Sequence, residues 1–564
     1  MAMPLRSLLV LFALLLGSCA TVPASAPNRE KAFVIAANPL AAKAGMDVLE
    51  RGGSAIDAAV AIQAMLSLVE PQSSGVGGGA FIHYLDASSG RAIVYDGREV
   101  APAQATASMF LDANGEKLDA KGAALTGRAV GVPGAVAALH HAHRRHGRLA
   151  WNSLFGSAIA AARDGFVVSP RLGSFLPRSD ILQLTQPDAI AYFSDGQGRR
   201  LETGDRLVNA AYADFLERLA AQGPDALLKG ETAARIVEKT RSGPLGGTMT
   251  MADLANYKVV EREPLCTWYE ATRICAPPPP SSGVGFLQLM ELLERTAISE
   301  LGPDDPRAWY LLAEASRLMY ADRDHFVGDS PDVPVAGLLD PAYLDTRADL
   351  IVPRASANVV HGIPAGAPTH APDATREMAG TSHFIVRDAA GNVVSMTTTV
   401  EAVFGSGLMV DGFFLNNQMT DFDFSPVDED GHRSSNAVTP GKRPRSSMVP
   451  LLLYDADGNF AGAAGSAGGS SILAYVGKSL VAALDWGLPM QDAIALPNLV
   501  ARDNETGAEA TLDPRIVRDL SARGLVVTDL GGEGSGVHAV LVREDGRIDG
   551  GYDPRREGVV LIAN

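Results

Sequence analysis

The stretch that most constrains the fold is Gly380 to Glu401, GTSHFIVRDAAGNVVSMTTTVE, in which two β-rich runs flank Asp388-Ala389-Ala390-Gly391-Asn392. A turn centred on Ala390 closes a long antiparallel hairpin and sets Thr399 directly across from Thr381. Two hydroxyls then face one another where an irregular segment enters a sheet, although a slip of one residue separates them. Threonine-rich runs are also ordinary strand formers, so the pair gains meaning only from what surrounds it.

Around the hairpin, the pattern mixes helix and strand. Residues 39–69 read as two helices, the first stopped at Gly52-Gly53 and the second restarted after an N-cap at Ser54. Ala80 to Leu85 and Arg91 to Tyr95 alternate as strands, helical stretches dominate 133–240, and Pro277 to Pro280 reads as a rigid connector. Residues 355–378 have loop composition, and hairpin signals at 455–459 and 544–546 make the last third sheet-rich. No internal repeat is visible. With 46% hydrophobic and 20% charged residues the chain can build a large core, which excludes wholesale disorder. Its net charge of −17 disfavours nucleic acid as a partner.

Residues 1–18 read as a signal peptide, with Arg6 followed by the apolar run Leu8 to Leu16. Leu16-Gly17-Ser18-Cys19 resembles a bacterial lipobox, with Cys19 lipidated and residues 19–31 as a tether. The expected location is the periplasm, anchored to the outer membrane. Cys266 and Cys275 flank a hairpin turning at Glu270-Ala271 and fall opposite one another; they either form a bridge or remain two buried thiols. Neither has a metal-ligand neighbour, and no metal site is expected.

Two further stretches bear on chemistry. Lys442-Arg443-Pro444-Arg445-Ser446-Ser447-Met448 sets hydroxyls beside cations, as an anionic group requires. Gly465-Ser466-Ala467-Gly468-Gly469-Ser470 opens a helical stretch, where uncovered N–H groups suit a developing oxyanion. By contrast, Gly75-Val76-Gly77-Gly78-Gly79-Ala80 follows a helix and precedes a strand, the reverse of a dinucleotide site. His140, His141, His143 and His146 sit among arginines as a cationic helix end. Asp96 and Glu99 read as framing for Arg98.

Taken in order, ERGGSAIDAAVA (50–61), SGVGGGAF (74–81), DGREVAPA (96–103), APPPPSSG (276–283), GTSHF (380–384), FLNNQMTDF (414–422), KRPRSSM (442–448), GSAGGS (465–470) and DPR (553–555) give the chain a clear resemblance to the γ-glutamyltransferases. The resemblance covers nearly everything from about Glu30 onward. It implies an α+β fold, the four-layer αββα sandwich of the amino-terminal-nucleophile hydrolases, formed as one domain by a large fragment, 32–380, and a small one, 381–564. It also implies a precursor that cuts itself after Gly380, so that the free amine of Thr381 becomes the base for its own hydroxyl. By the same resemblance Thr399 supports the nucleophile and Gly468 and Gly469 form the oxyanion hole. Arg98, Ser446 and Ser447 hold the glutamyl α-carboxylate, and Gln418 and Asp421 hold the α-amino group. Glu401 stands where some members carry Asn, and residues 422–441 match the family's lid without a gating Tyr. Glutathione and other γ-glutamyl compounds are the implied donors, water, amino acids and peptides the acceptors, and no cofactor is required. Glutaryl amides, poly-γ-glutamate, or binding of γ-glutamyl peptides without turnover are the alternatives.

Overall fold

In the computed structural model, residues 31–373, 375–531 and 534–563 are described; the expected signal segment, Cys19 and most of the tether lie outside them. Thirteen strands make the two main sheets: β1 (Phe33–Ala36), β2 (Gly79–Asp86), β3 (Arg91–Gly97), β4 (Val260–Arg262), β5 (Leu265–Tyr269), β6 (Thr272–Ala276), β7 (Gly380–Arg387), β8 (Val393–Glu401), β9 (Leu451–Tyr454), β10 (Phe460–Gly465), β11 (His538–Val542), β12 (Ile548–Tyr552) and β13 (Val559–Ile562). The first sheet runs β13-β1-β7-β8-β2-β3-β4 and the second β12-β11-β10-β9-β6-β5. The central β7–β8 hairpin has the expected register, Thr399 opposite Thr381. Asp388 fixes its loop: one carboxylate oxygen accepts the N–H groups of Ala390 and Asn392, while Gly391 supplies the left-handed turn at φ +88°.

Alternation along the strands builds three layers of core. Phe33, Ile35, Ile385, Val393, Leu452, Tyr454, Ala463 and Val540 pack between the sheets. Their neighbours Val34, Ala36, Phe384, Val386, Val394 and Met396 turn the other way, toward helices. Each large apolar side chain so buried contributes about 1.5–3 kcal/mol. Helices α1 (Pro39–Glu50), α2 (Ala55–Val69) and α3 (Ala135–His146) cover the first sheet; α4 (Gly283–Glu294), α6 (Ile472–Leu484) and α7 (Met490–Ala495) cover the second, with α5 (Pro306–Phe326) packed on α4. This is the αββα sandwich. The N-cap at Ser54 is part of a capping box with Asp57, and every residue of α2 is buried, which explains why Asp57, Gln63 and Ser67 are its only polar side chains. Residues 133–240 form several short helices, interrupted by the strand pair Phe166–Val167 and Arg206–Leu207. Among the described residues, no helix is long and apolar enough to cross a membrane.

Cys266 and Cys275 are paired across the β5–β6 hairpin, with Cα atoms 4.1 Å apart, and joined as a disulfide. The proline connector does more than link: Ser446 donates its N–H to Pro280 O (2.9 Å), and Ser282 donates its own to Ser446 O (2.7 Å). It thus ties the 442–448 stretch to the segment that leaves β6, in the interior of the second sheet.

Candidate active site

Thr381 enters β7 buried, its side chain on the face between the sheets, as alternation from Ile385 and His383 requires. Its Oγ1 lies 3.1 Å from Thr399 Oγ1, and Thr399 Oγ1 donates to Gly380 O at 2.7 Å while accepting the Glu401 N–H at 2.9 Å. A hydroxyl has one proton to give. With that of Thr399 committed to Gly380 O, Thr381 is the donor in the Thr381–Thr399 bond. The carbonyl next to Thr381 is therefore polarised by the residue that orients the Thr381 hydroxyl.

A β-bulge follows Thr399, so that Glu401 rather than Val400 faces Gly380. Glu401 adopts φ +81°, a conformation unusual for a side-chain-bearing residue and common at functional bulges. Its carboxyl accepts the Met378 N–H at 2.9 Å and a short hydrogen bond from Asn417. Asp421, beside it, accepts from Gln418 and, at 2.6 Å, from Arg98 Nη2. Burial, reinforced by Asp421, pushes the Glu401 carboxyl well above the ordinary carboxylate range, and burial raises Asp421 despite the attraction of Arg98.

Arg98 lines the site with Ser446 and Ser447, and the cations divide among several partners. The Arg98 fork is engaged by Asp421 and by the carbonyls of Pro444 and Arg445, with Glu99 3.6 Å from Nη1. Lys442 donates to the carbonyls of Ser435 and Ala437 in the lid, and Arg443 lies toward Asp96 and Lys258 O. Asp96 does frame Arg98, accepting its N–H at 2.9 Å. In the serine pair, the Ser446 N–H is taken by Pro280, whereas the Ser447 N–H points into the site and donates to the Glu377 carboxylate at 2.7 Å.

Glu377, Arg323 and Arg445 were not singled out from sequence. Arg445 is one of the three cations of the 442–448 stretch, with nothing local to set it apart. Arg323 had a subtler signal, the unbroken run of charges Asp322-Arg323-Asp324 within α5. Glu377 had none, being hidden in a segment without periodicity.

Gly468 and Gly469 form the turn that leads into α6, with φ of +132° and +54°. A Cβ on Gly469 would sit 2.2 Å from Glu377 O, so the close approach as well as the turn demands glycine. About 10 Å³ of free space remains among Thr381, Gly469, Ser447 and Arg98, because Glu377 and Met378 fill the site. A cavity of about 850 Å³, lined by Asp373, Thr375, Arg376 and Phe424, adjoins it on the side from which that segment arrives. The histidines of α3 reach separate partners, His141 to Glu261, His143 to Leu149 O and His146 to Tyr95.

The family described as Gamma-glutamyltranspeptidase matches residues 41–563. The chain is 35% identical to a glutathione hydrolase proenzyme of Pseudomonas aeruginosa, over 97% of each chain. It is 34% identical to the acylase ACY 1 proenzyme of a Pseudomonas species (strain SE83), over 96% of this chain and 94% of the other. The crystal structure of a cephalosporin acylase from Bacillus halodurans shares the fold, with a TM-score of 0.81 at 24% identity, covering 97% of this chain and 99% of that one.

Proposed function

Because the chain belongs to the γ-glutamyltranspeptidase family, we propose that it is a self-cleaving γ-glutamyltransferase and glutathione hydrolase whose nucleophile is Thr381. The observation that carries the reading is the Thr381–Thr399–Gly380 O relay of 3.1 and 2.7 Å. In the precursor, Thr381 Oγ1 attacks the Gly380 carbonyl carbon. The Gly380–Thr381 C–N bond breaks as the acyl group passes to oxygen, and the Thr381 nitrogen takes up a proton. Water then hydrolyses the ester, leaving a carboxylate on Gly380 and a free amine on Thr381. That amine is the base a weak hydroxyl nucleophile needs. Thr381 next attacks the γ-carbonyl of glutathione or another γ-glutamyl amide, with the Gly468 and Gly469 turn stabilising the oxyanion and the leaving amine taking the proton. Water or an amino acid resolves the γ-glutamyl-enzyme. The Glu401, Asp421 and Gln418 cluster receives the donor ammonium, and Ser447 its carboxylate.

A denaturing gel with amino-terminal sequencing tests this. Two bands are expected, the smaller beginning Thr-Ser-His-Phe, while Thr381→Ala remains one inactive chain. Normal cutting in that variant overturns the mechanism. The likeness to two acylases favours a second reading, a glutaryl amidase. A glutaryl donor lacks the ammonium and would leave the buried Glu401 carboxyl, unlike Asp421 with its Arg98 partner, without a counter-charge. Faster turnover of a glutaryl than of a γ-glutamyl anilide selects that reading.

For location, we propose export and lipidation at Cys19; the Cys266–Cys275 bridge supports an oxidising compartment. Cys19→Ser is expected to release the protein from the membrane fraction, and unchanged partitioning rejects the anchor.

A further inference from the structure

We propose that Arg556 is a positioning residue for the nucleophile: its guanidinium joins the Thr381 carbonyl to the backbone behind the Gly468–Gly469 turn. It thereby keeps the attacking hydroxyl in register with the oxyanion site once the chain is cut. The proposal rests on the reading of Thr381 as the nucleophile freed at Gly380. Arg556 lies just past the Asp553-Pro554-Arg555 motif, in the turn between β12 and β13. Asp553 builds that turn: its carbonyl accepts the Arg556 N–H at 3.0 Å, and its carboxylate accepts the N–H groups of Arg555 at 3.0 Å and Val537 at 3.2 Å. The two arginines then part. Arg555 turns to Glu509 and to the carbonyls of Ile494 and Leu496. Arg556 is buried against the start of β7, where Nη1 donates to Thr381 O at 2.9 Å and Nε to Ser535 O at 2.7 Å.

Both acceptors matter for what they belong to. β1 pairs with β7 only as far as Phe384, opposite Ala36, so among the described residues 381–383 have a partner strand on the β8 side alone. Arg556 gives the Thr381 carbonyl the donor that a strand on the open side would have supplied. The segment around Ser535 backs the glycine turn. Gly536 donates its N–H to Ser466 Oγ at 3.2 Å, its carbonyl accepts the Ala467 N–H at 3.4 Å, and a Cβ on Gly468 would lie 3.0 Å from Gly534 O. A Cβ on Gly536 would itself sit 2.6 Å from Arg556 Nε, so glycine is what lets the guanidinium lie against this backbone. One side chain therefore spans the distance from the nucleophile's carbonyl to the strap behind the oxyanion turn.

In the uncut chain this bridge is one tether among several. Glu377 is gripped by Arg323, by the Ser447 N–H and by Ser470 Oγ, the Met378 N–H donates to Glu401, and Gly380 O accepts from Thr399. All of these act upstream of the new amino terminus, so Thr381 loses their hold when the Gly380–Thr381 bond breaks. As a chain end it keeps its pairing with Thr399 and the bond from Arg556. Chain ends fray unless they are tied down, and a nucleophile misplaced by about 1 Å can lose about 100-fold in rate.

The test measures acylation per active site in processed Arg556→Met and Arg556→Lys, from the single-turnover release of aniline from a γ-glutamyl anilide. Glutamate affinity, measured by competition, is followed alongside. Arg556→Met is expected to acylate about 10- to 100-fold more slowly per site, with glutamate affinity unchanged within about twofold and self-cleavage slowed no more than about threefold. Arg556→Lys keeps the charge but presents one nitrogen in place of the two that reach Thr381 O and Ser535 O, so its rate is expected to fall between. It also decides the matter if the Met variant does not fold. Lost stability alone lowers the number of active sites and leaves the rate at each unchanged, so a wild-type rate per site in either variant overturns the proposal. A parallel loss of glutamate affinity, or self-cleavage slowed as much as acylation, overturns it as well. Failure of the underlying reading is distinct: the wild type itself would then run as one band or release no aniline.

Discussion

At the scale of single residues, the site is organised by proton inventory. Thr399 has one hydrogen and two oxygens within reach of it, and the geometry assigns that hydrogen to Gly380 O. Thr399→Val keeps shape and strand preference but removes the polarising bond. A time course of fragment appearance should therefore slow on the order of 100-fold while the far-ultraviolet spectrum stays unchanged. The carboxyl pair gives a pH signature. Because burial raises both Glu401 and Asp421, and Asp421 adds to the rise at Glu401, the empty site holds a proton that a bound ammonium must expel. Donor affinity should therefore rise with pH through the raised carboxyl range and then level off, and Glu401→Gln should flatten the rise. The stability of the empty enzyme has the opposite slope. The folded state binds more protons than the unfolded one between the ordinary and the raised carboxyl values, so stability falls as pH climbs through that window.

At the scale of elements, the β7–β8 hairpin was legible because a short loop between two alternating runs leaves few registers, and Asp388 with Gly391 closes only one of them well. The capping box at Ser54 and the glycine turn before α6 were legible for the same reason: local chemistry dictates local backbone. What sequence hid was long-range. The bulge after Thr399 reflects packing against Gly380, and nothing in Val400-Glu401 announces it. Glu377 belongs to a segment with no period, whose conformation is imposed by Ser447, Ser470 and Arg323 from three distant parts of the chain. Arg443 and Lys442 looked equivalent to Arg445, yet only tertiary contacts decide which cation turns inward. The β5–β6 hairpin offers an element-scale test. Its bridge closes a short loop at the edge of the second sheet, so Cys266→Ser/Cys275→Ser should cost about 2–3 kcal/mol of stability and lower Tm without slowing self-cleavage. Loss of cutting would show that the hairpin holds the 442–448 stretch in place.

At the scale of the whole molecule, the proposed cut would divide the sheets unevenly. In the first sheet, β1 from the amino-terminal side lies between β13 and β7, both downstream of Gly380, and β8 pairs with β2 across the same divide. In the second, β9 pairs with β6. Severing one peptide bond leaves all of these ladders intact, so the two fragments are expected to co-elute in native gel filtration and to separate only in denaturant. Elution of a free small fragment under native conditions would contradict this arrangement.

The interleaving of β1 between two downstream strands has a consequence for durability. A chain that threads its two halves through one another while they are covalently joined folds as a first-order process; once the joint is gone, refolding becomes an encounter between separate molecules. The reverse path is then dilution-dependent and slow. Longevity of the cut form becomes a matter of how seldom it opens rather than of an equilibrium between folded and unfolded, and a single excursion ends its working life.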